Sequence, residues 1–209
     1  MKKDNENVIY ILVYVDDMLI TGNDTREINR IIKVLDQSFA IKDLGELNYF
    51  LGIQIKRNEK EMFLSQQNYI AEILQRTNMH QAKSLPTPMT SSSRLSKFKG
   101  EAINNATQYR SIIGALQYET ITRPDICYSV NKLSQYMQNP LSEHWIAVKR
   151  LLRYLQGTRH HGITISADKE MNLQGFTDAD WANDIDDRRS VSGYCVFLGT
   201  NLVSWCTKK

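Results

Sequence analysis

Apolar residues recur along this chain with two periods. Two short runs of β-branched and aliphatic residues, at positions 8–13 and 18–20, flank Tyr14-Val15-Asp16-Asp17 and predict two buried strands joined as a hairpin with paired carboxylates at its bend. Next, Asp24-Thr25-Arg26-Glu27 has the form of a capping box, and Ile28, Ile31, Ile32, Leu35 and Phe39 fall on one face of a helix that should pack on the hairpin. Residues 49–56 alternate as a strand with one wet face, Asn58-Glu59-Lys60 makes the bend, and Met62-Phe63-Leu64 returns. Ser65 is placed to cap a further helix with Ile70, Ile73 and Leu74 inward.

Periodicity is lost after Leu85. Pro86-Thr87-Pro88-Met89-Thr90-Ser91-Ser92-Ser93 and the basic, polar run to Gly100 predict an exposed connector. The helical period then returns three times: at Tyr109, Ile112, Ile113 and Leu116; at Ile126, Val130, Leu133 and Met137; and at Trp145, Val148, Leu152 and Leu155. Pro124 suits a first helical turn, Pro140 precedes a Ser142 cap, and Gly157 closes the last helix. Glu119 lies three residues beyond Leu116, near the apolar face, so it is either a paired buried charge or a destabilising substitution. Residues 173–178, 192–198 and 202–206 read as three short strands that would leave a sheet edge uncovered, as in a truncated domain.

Composition narrows the picture. A chain of 209 residues with net charge +3 can bury a core, and any nucleic-acid surface on it must come from local patches. Cys127, Cys195 and Cys206 are odd in number and widely spaced, which argues for a reducing compartment and against structural zinc. No apolar run reaches the roughly 18 residues of a membrane span, so the expectation is an intracellular protein without a membrane partner.

Candidate chemistry centres on Asp16 and Asp17. Two-residue hairpin turns usually take Asn-Gly or Asp-Gly because their central residues need positive φ, and Asp-Asp offers the backbone no such advantage. Either an ordinary solvated turn or a site for a hard divalent cation accounts for the pair. Asp178 ends an otherwise apolar strand and is a second candidate ligand, whereas Asp180, Asp184, Asp186 and Asp187 read as loop solvation. Lys149, Arg150 and Arg153 on the last helix, with Lys132, form either a solvated basic face or a phosphate-contacting one. His160 and His161 lack partners at ligand spacing.

Tyr14-Val15-Asp16-Asp17-Met18-Leu19-Ile20, Phe50-Leu51-Gly52-Ile53, Pro86-Thr87-Pro88-Met89, Tyr109-Arg110-Ser111-Ile112-Ile113-Gly114, Thr122-Arg123-Pro124-Asp125-Ile126, His144-Trp145, Leu152-Arg153-Tyr154-Leu155 and Asp178-Ala179-Asp180-Trp181-Ala182 occur in this order. The series resembles the Pol polyprotein of copia-type LTR retrotransposons over essentially the whole chain. The resemblance implies an α+β fold: a partial reverse-transcriptase palm at 1–85, an exposed connector at 86–106, a helical thumb or connection region at 107–165, and the first strands of a ribonuclease H-like domain at 166–209. It further implies an RNA-directed DNA polymerase with two-metal magnesium chemistry, an RNA template and a DNA primer, the remainder of Pol as partner, and a cytoplasmic particle or the nucleus as its place. Asp16 and Asp17 would be catalytic metal ligands, Tyr14 and Val15 would contact substrate, and Asp178 would match the first metal-binding aspartate of ribonuclease H. The family's fingers and first palm strand precede the hairpin, and its ribonuclease H site draws on later acids, so this stretch alone is expected to be inactive. The alternative is a degenerate or domesticated remnant that binds nucleic acid without catalysis.

Overall fold

The computed structural model describes residues 2–4, 7–90, 94–167 and 171–209; Met1, Ser91-Ser92-Ser93 of the expected connector and residues 168–170 of the last expected segment lie outside them. The fold is α+β and divides into two compact units, residues 1–48 and 49–209.

In the first unit, β1 (Lys2–Asp4), β2 (Asn7–Tyr14) and β3 (Asp17–Gly22) form an antiparallel sheet in the order β1-β2-β3. The helix α1 (Thr25–Ser38) follows and lies against β3. Its cap is Asp24, whose carboxylate accepts from the Arg26 N–H at 2.8 Å, while Glu27 is held by Arg30 through two bonds of 2.7 and 2.6 Å. Ile28, Ile31, Ile32 and Leu35 are half-buried, as the helical period predicts. Phe39 departs from it: it is the extended C-cap residue and is exposed, because the helix ends one residue earlier. The hairpin is not the buried strand pair expected from its composition. Ile9 is buried, but Tyr10 to Val15 are all about half exposed or more, since α1 is the element packed on the sheet within this unit and it lies along β3.

In the second unit, β4 (Tyr49–Phe50), β5 (Ile53–Arg57), β6 (Glu61–Ser65) and β7 (Ile163–Ser166) form a four-stranded antiparallel sheet in that order. The expected continuous strand over 49–56 is broken by a two-residue turn. Leu51 and Gly52 both have positive φ, 47° and 81°, the combination of a type I′ hairpin turn. Glycine is required at 52 on two counts, because a Cβ there would also lie 3.3 Å from the Tyr118 ring, whose hydroxyl donates to the Leu51 carbonyl. The bend at Asn58 forms as predicted, its side chain accepting from the N–H groups of Lys60 and Glu61, both at 2.8 Å. Strand β7 has no counterpart in the expected elements. It docks on β6 because Gly162 has no side chain: a Cβ there would sit 2.1 Å from the Leu64 carbonyl oxygen.

Helix α2 (Gln67–Arg76) begins one residue later than a Ser65 cap requires. Ser65 ends β6 and is buried; the cap position is Gln66, and the Asn68 N–H is met instead by the Gln54 side chain at 3.2 Å. Helix α3 (Ala106–Glu119) is capped by Asn105, which accepts from the Gln108 N–H at 2.8 Å. A 3-10 turn, Pro124–Ile126, leads into α4 (Cys127–Ser134), so Met137 falls outside the helix whose period it continues. Helix α5 (Ser142–Gly157) is capped at Leu141 rather than Ser142; the Leu141 N–H donates to His144 Nδ1 at 2.9 Å, and the Ser142 hydroxyl accepts from the Glu101 N–H.

The core lies among these four helices. Ile70, Ile73 and Leu74 of α2 pack with Tyr109, Ile112, Ile113 and Leu116 of α3, Val130 and Leu133 of α4, and Val148, Leu151, Leu152 and Leu155 of α5. Removing one of their larger aliphatic side chains costs about 2–5 kcal/mol. The segment expected to be an exposed connector contributes to the core as well. Leu95 and Ser96 are buried, with the Leu95 carbonyl accepting from Tyr136 Oη at 2.9 Å and the Ser96 carbonyl 3.0 Å from His144 Nε2.

The chain closes with β8 (Leu173–Asp180), β9 (Val191–Leu198) and β10 (Asn201–Lys208), an antiparallel sheet in the order β10-β9-β8. The three expected strands are therefore present, and β8 is an exposed edge. At the other edge the Asn201 amide stands in for a backbone partner of β7, accepting from the Ser166 N–H at 2.6 Å and donating to its carbonyl at 3.0 Å.

Candidate functional site: the Tyr14–Asp17 turn and its surroundings

The pairing of Tyr14 with Asp17 leaves Val15 and Asp16 as a two-residue loop. The two acids therefore do not share the bend: Asp16 is at its tip, and Asp17 is the first residue of β3, paired with Tyr14. Positive φ falls on Val15, at 50°, which is 81% exposed. A β-branched residue in that region is strained by about 1–2 kcal/mol, so the turn is held against its own backbone preference. Both carboxylates are exposed, and so are the hydrophobic side chains leading into and out of the turn, Leu12, Val13 and Tyr14 on one strand and Met18 on the other. Two carboxylates are thus presented at the end of an exposed strand pair. Among the described residues, no group of three or more His, Cys, Asp or Glu side chains is arranged to hold a metal ion.

The remaining candidates belong to the second unit. Asp178 is exposed on edge strand β8, opposite Gly193, and its carboxylate accepts from the Ala179 N–H at 2.9 Å. It borders a shallow depression of about 310 Å³ lined also by Phe176, Trp205, Pro124 and Cys127. The indole N–H of Trp205 donates to the Thr120 carbonyl at 2.9 Å and so ties the sheet to the end of α3. Cys195 and Cys206 line the same depression. None of the three cysteines is in a disulfide, and burial pushes the Cys127 thiol up to about 11.

Along α5, Lys149 is exposed, but the two arginines are engaged within the fold. Arg150 donates to Thr87 Oγ1 at 2.7 Å, Arg153 Nε to the Lys83 carbonyl at 2.7 Å, and Gln156 to the His80 carbonyl at 2.6 Å. These three side chains fasten residues 80–87 along the helix. Lys132 is not an accessible phosphate contact, because it is buried and paired with Asp184 at 2.8 Å. His160 and His161 are exposed and pack edge to face on one another.

Two polar clusters escape a reading of the sequence. Arg123 is buried and makes two bonds to Asp125, at 2.8 and 2.6 Å, while donating to the Thr158 carbonyl and hydroxyl. Tyr154 donates to the same Asp125 at 2.7 Å. Burial opposes ionisation of Asp125, but the Arg123 guanidinium outweighs it and holds the carboxyl below its usual range. The Thr122-Arg123-Pro124-Asp125 motif is therefore a clamp between the start of α4 and the end of α5. The second cluster is the acidic loop between β8 and β9. Asp184 is buried between Lys132 and Lys209, at 2.8 and 2.7 Å, and Asp187 also meets Lys209 at 3.0 Å. Burial raises the Asp184 pKa, but the two ammonium groups overcome it and hold the carboxyl well below the usual carboxylate range. Asp186 accepts from the Ser96 hydroxyl at 2.6 Å and the Lys97 N–H at 2.8 Å. The one advance signal was Lys132, which directly precedes the buried Leu133.

Glu119 resolves in one direction. It is fully buried, and neither carboxylate oxygen has a hydrogen-bond partner. Burial pushes its pKa up to about 8, with Arg123 opposing only in part, because Arg123 is committed to Asp125 and Thr158.

Residues 1–91 match the family described as reverse transcriptase (RNA-dependent DNA polymerase). The chain is 49% identical over 98% of its length to the retrovirus-related Pol polyprotein from transposon RE1 of Arabidopsis thaliana, and 40% identical over 97% to that from transposon TNT 1-94 of Nicotiana tabacum. It spans 14% and 16% of those two polyproteins. An uncharacterized mitochondrial protein of Arabidopsis thaliana is 44% identical over 96% of this chain and 83% of its own length. No solved structure matches. A match to reverse transcriptase over residues 1–91 on an α+β scaffold, continued by a segment shared with transposon polyproteins, defines the class. The chain belongs to the reverse-transcriptase-like Pol polyprotein family of copia-type retrotransposons.

Proposed function

We propose that this chain is the C-terminal part of a retrotransposon reverse transcriptase with the start of a ribonuclease H domain. The observation that carries the reading is the strained Tyr14–Asp17 hairpin, which presents two carboxylates at the end of an antiparallel strand pair. Residues 1–85 would supply part of the palm and the base of the thumb, 86–106 the connector, 107–165 the helical thumb or connection, and 166–209 the first ribonuclease H strands.

The turn's chemistry fits magnesium, which takes one or two protein carboxylates and completes its shell with phosphate and water oxygens. Asp16 and Asp17 would hold it, and Tyr14 and Val15 would lie against the primer end or the incoming nucleotide. When bound, such ions supply activation of the primer 3′-hydroxyl and neutralisation of charge on the leaving pyrophosphate. Two carboxylates are too few to cage two ions, and no third is gathered with them among the described residues. DNA synthesis on an RNA template is therefore proposed for the longer polyprotein and not for this chain alone. Asp178 would serve ribonuclease H in the same conditional way. Lys149 would contact phosphates along α5, with Arg150 and Arg153 adding only what their bonds to Thr87 and the Lys83 carbonyl leave over.

Primer extension tests this directly. The chain with an RNA template, DNA primer, magnesium and deoxynucleotides should yield no product, and processive synthesis by the chain alone would overturn the reading. A second reading, a remnant that only binds nucleic acid, is favoured by the unpaired buried Glu119, which lowers the stability of the fold at neutral pH. Flanking genomic DNA that interrupts the frame would support it.

A further inference from the structure

The basic run before α3 is a pinned loop with an aromatic tip. Its first anchor is Leu95-Ser96, held by Tyr136 Oη, His144 Nε2 and Asp186, with the Ser96 hydroxyl also accepting from the Phe98 N–H at 3.1 Å. Its second is Gly100-Glu101, pressed against the start of α5. Gly100 has φ 113°, a Cβ there would lie 2.8 Å from the Ser142 hydroxyl oxygen, and the Glu101 N–H donates to that oxygen at 3.2 Å. Between the anchors stand Lys97, Phe98 and Lys99. All three are exposed, and Phe98 is 85% exposed, so its ring packs against almost nothing in the fold. Neither oxygen of the Asp186 carboxylate is free, since one accepts from the Ser96 hydroxyl and the other from the Lys97 N–H.

An exposed aromatic ring on a backbone anchored at both ends, with an exposed lysine before and after it in the chain, matches what single-stranded nucleic acid requires: a face for a base and cations for the adjoining phosphates. Fixing the loop before binding removes part of the ordering cost that a mobile loop would carry. An apolar protein partner would be poorly served by the same tip, since two lysines would have to be desolvated beside the ring.

We propose that Lys97, Phe98 and Lys99 form a stacking site for an unpaired base of single-stranded DNA or RNA, with the lysines on the flanking phosphates. The proposal rests on the nucleic-acid-binding reading above and adds a location and a mode of contact that this reading does not contain.

The test is titration of the full chain with a labelled oligothymidylate and with an abasic strand of the same length, read by fluorescence anisotropy. Phe98→Ala and Phe98→Leu should each weaken binding to oligothymidylate by about tenfold or more, Phe98→Tyr should stay within about twofold, and none should change binding to the abasic strand. Lys97→Ala with Lys99→Ala should lower the salt dependence of binding by about 0.7 per lysine in the slope of log K against log salt. Phe98 is exposed, so thermal unfolding of its variants should match the parent. Full retention of affinity by Phe98→Ala, or an equal loss on the abasic strand, overturns the stacking site while leaving nucleic-acid binding in place. Absence of binding by the parent chain at low salt overturns both.

Discussion

Replacing Glu119 by methionine should stabilise the second unit, and by an amount that depends on pH. In the unfolded chain the carboxyl titrates at its ordinary value of 4.5, and in the folded chain at about 8. Because the folded value is raised, the native state keeps a proton that the unfolded state releases. Stability associated with this group is therefore fully present below 4.5, is lost progressively as pH rises toward 8, and is flat beyond. At 1.36 kcal/mol per unit, the cost at pH 7 is about 3 kcal/mol. Glu119→Met removes it at similar volume, so the variant should gain about 2–3 kcal/mol at pH 7 and much less at pH 4.5. Glu119→Gln should remove the pH dependence while keeping unpaired polar atoms in the core. The assay is urea unfolding between pH 4.5 and 9 followed by tryptophan fluorescence, since all three tryptophans lie in the second unit and Trp145 and Trp205 are packed within it. A difference between variant and parent that stays constant from pH 5 to 8, or a parent more stable than Glu119→Gln at pH 7, would refute the reasoning, because either result requires a charged and paired Glu119.

Other substitutions probe other parts of the same framework. Asp184→Asn leaves Lys132 buried without its counterion and should cost about 3–5 kcal/mol in urea unfolding. The folded pKa of Asp184 is lowered, so its contribution should be present above the ordinary 3.8 and disappear as pH falls below it, a trend the variant should lack. Val15→Gly relieves the positive φ at the tip and should slow amide exchange across β2 and β3 by a few-fold, and faster exchange would contradict the strain. Gly52→Ala meets both a φ of 81° and the Tyr118 ring, and should lower stability by about 1–2 kcal/mol, measured as a fall in Tm.

The elements most legible in the sequence were those with a sustained period. The core faces of α2, α3 and α5 and the strands β8 to β10 lie where alternation or a 3.6-residue repeat placed them. Local chemistry that competes with the period was harder to read. Leu51-Gly52 folds back as a tight turn inside an apparently continuous strand, and Gln54 takes over work expected of a Ser65 cap. Interactions distant in sequence were not legible. The stretch Asp184-Ile185-Asp186-Asp187 looks like solvated loop until Lys132, 52 residues earlier, is seen beside it, and Arg150 and Arg153 look free until residues 80–87 are laid along α5. The turn itself was found by its composition, yet its strain falls on Val15 and not on either aspartate.

That turn is where the account is most exposed. Primer extension by a longer Pol polyprotein containing this segment, with Asp16→Asn, Asp17→Asn and, as a control at a helix cap, Asp24→Asn, measures its role directly. Loss of synthesis to background in the first two and retention in the third is the predicted result. Undiminished synthesis by Asp16→Asn and Asp17→Asn would contradict the assignment of the hairpin as the metal-binding turn of the polymerase.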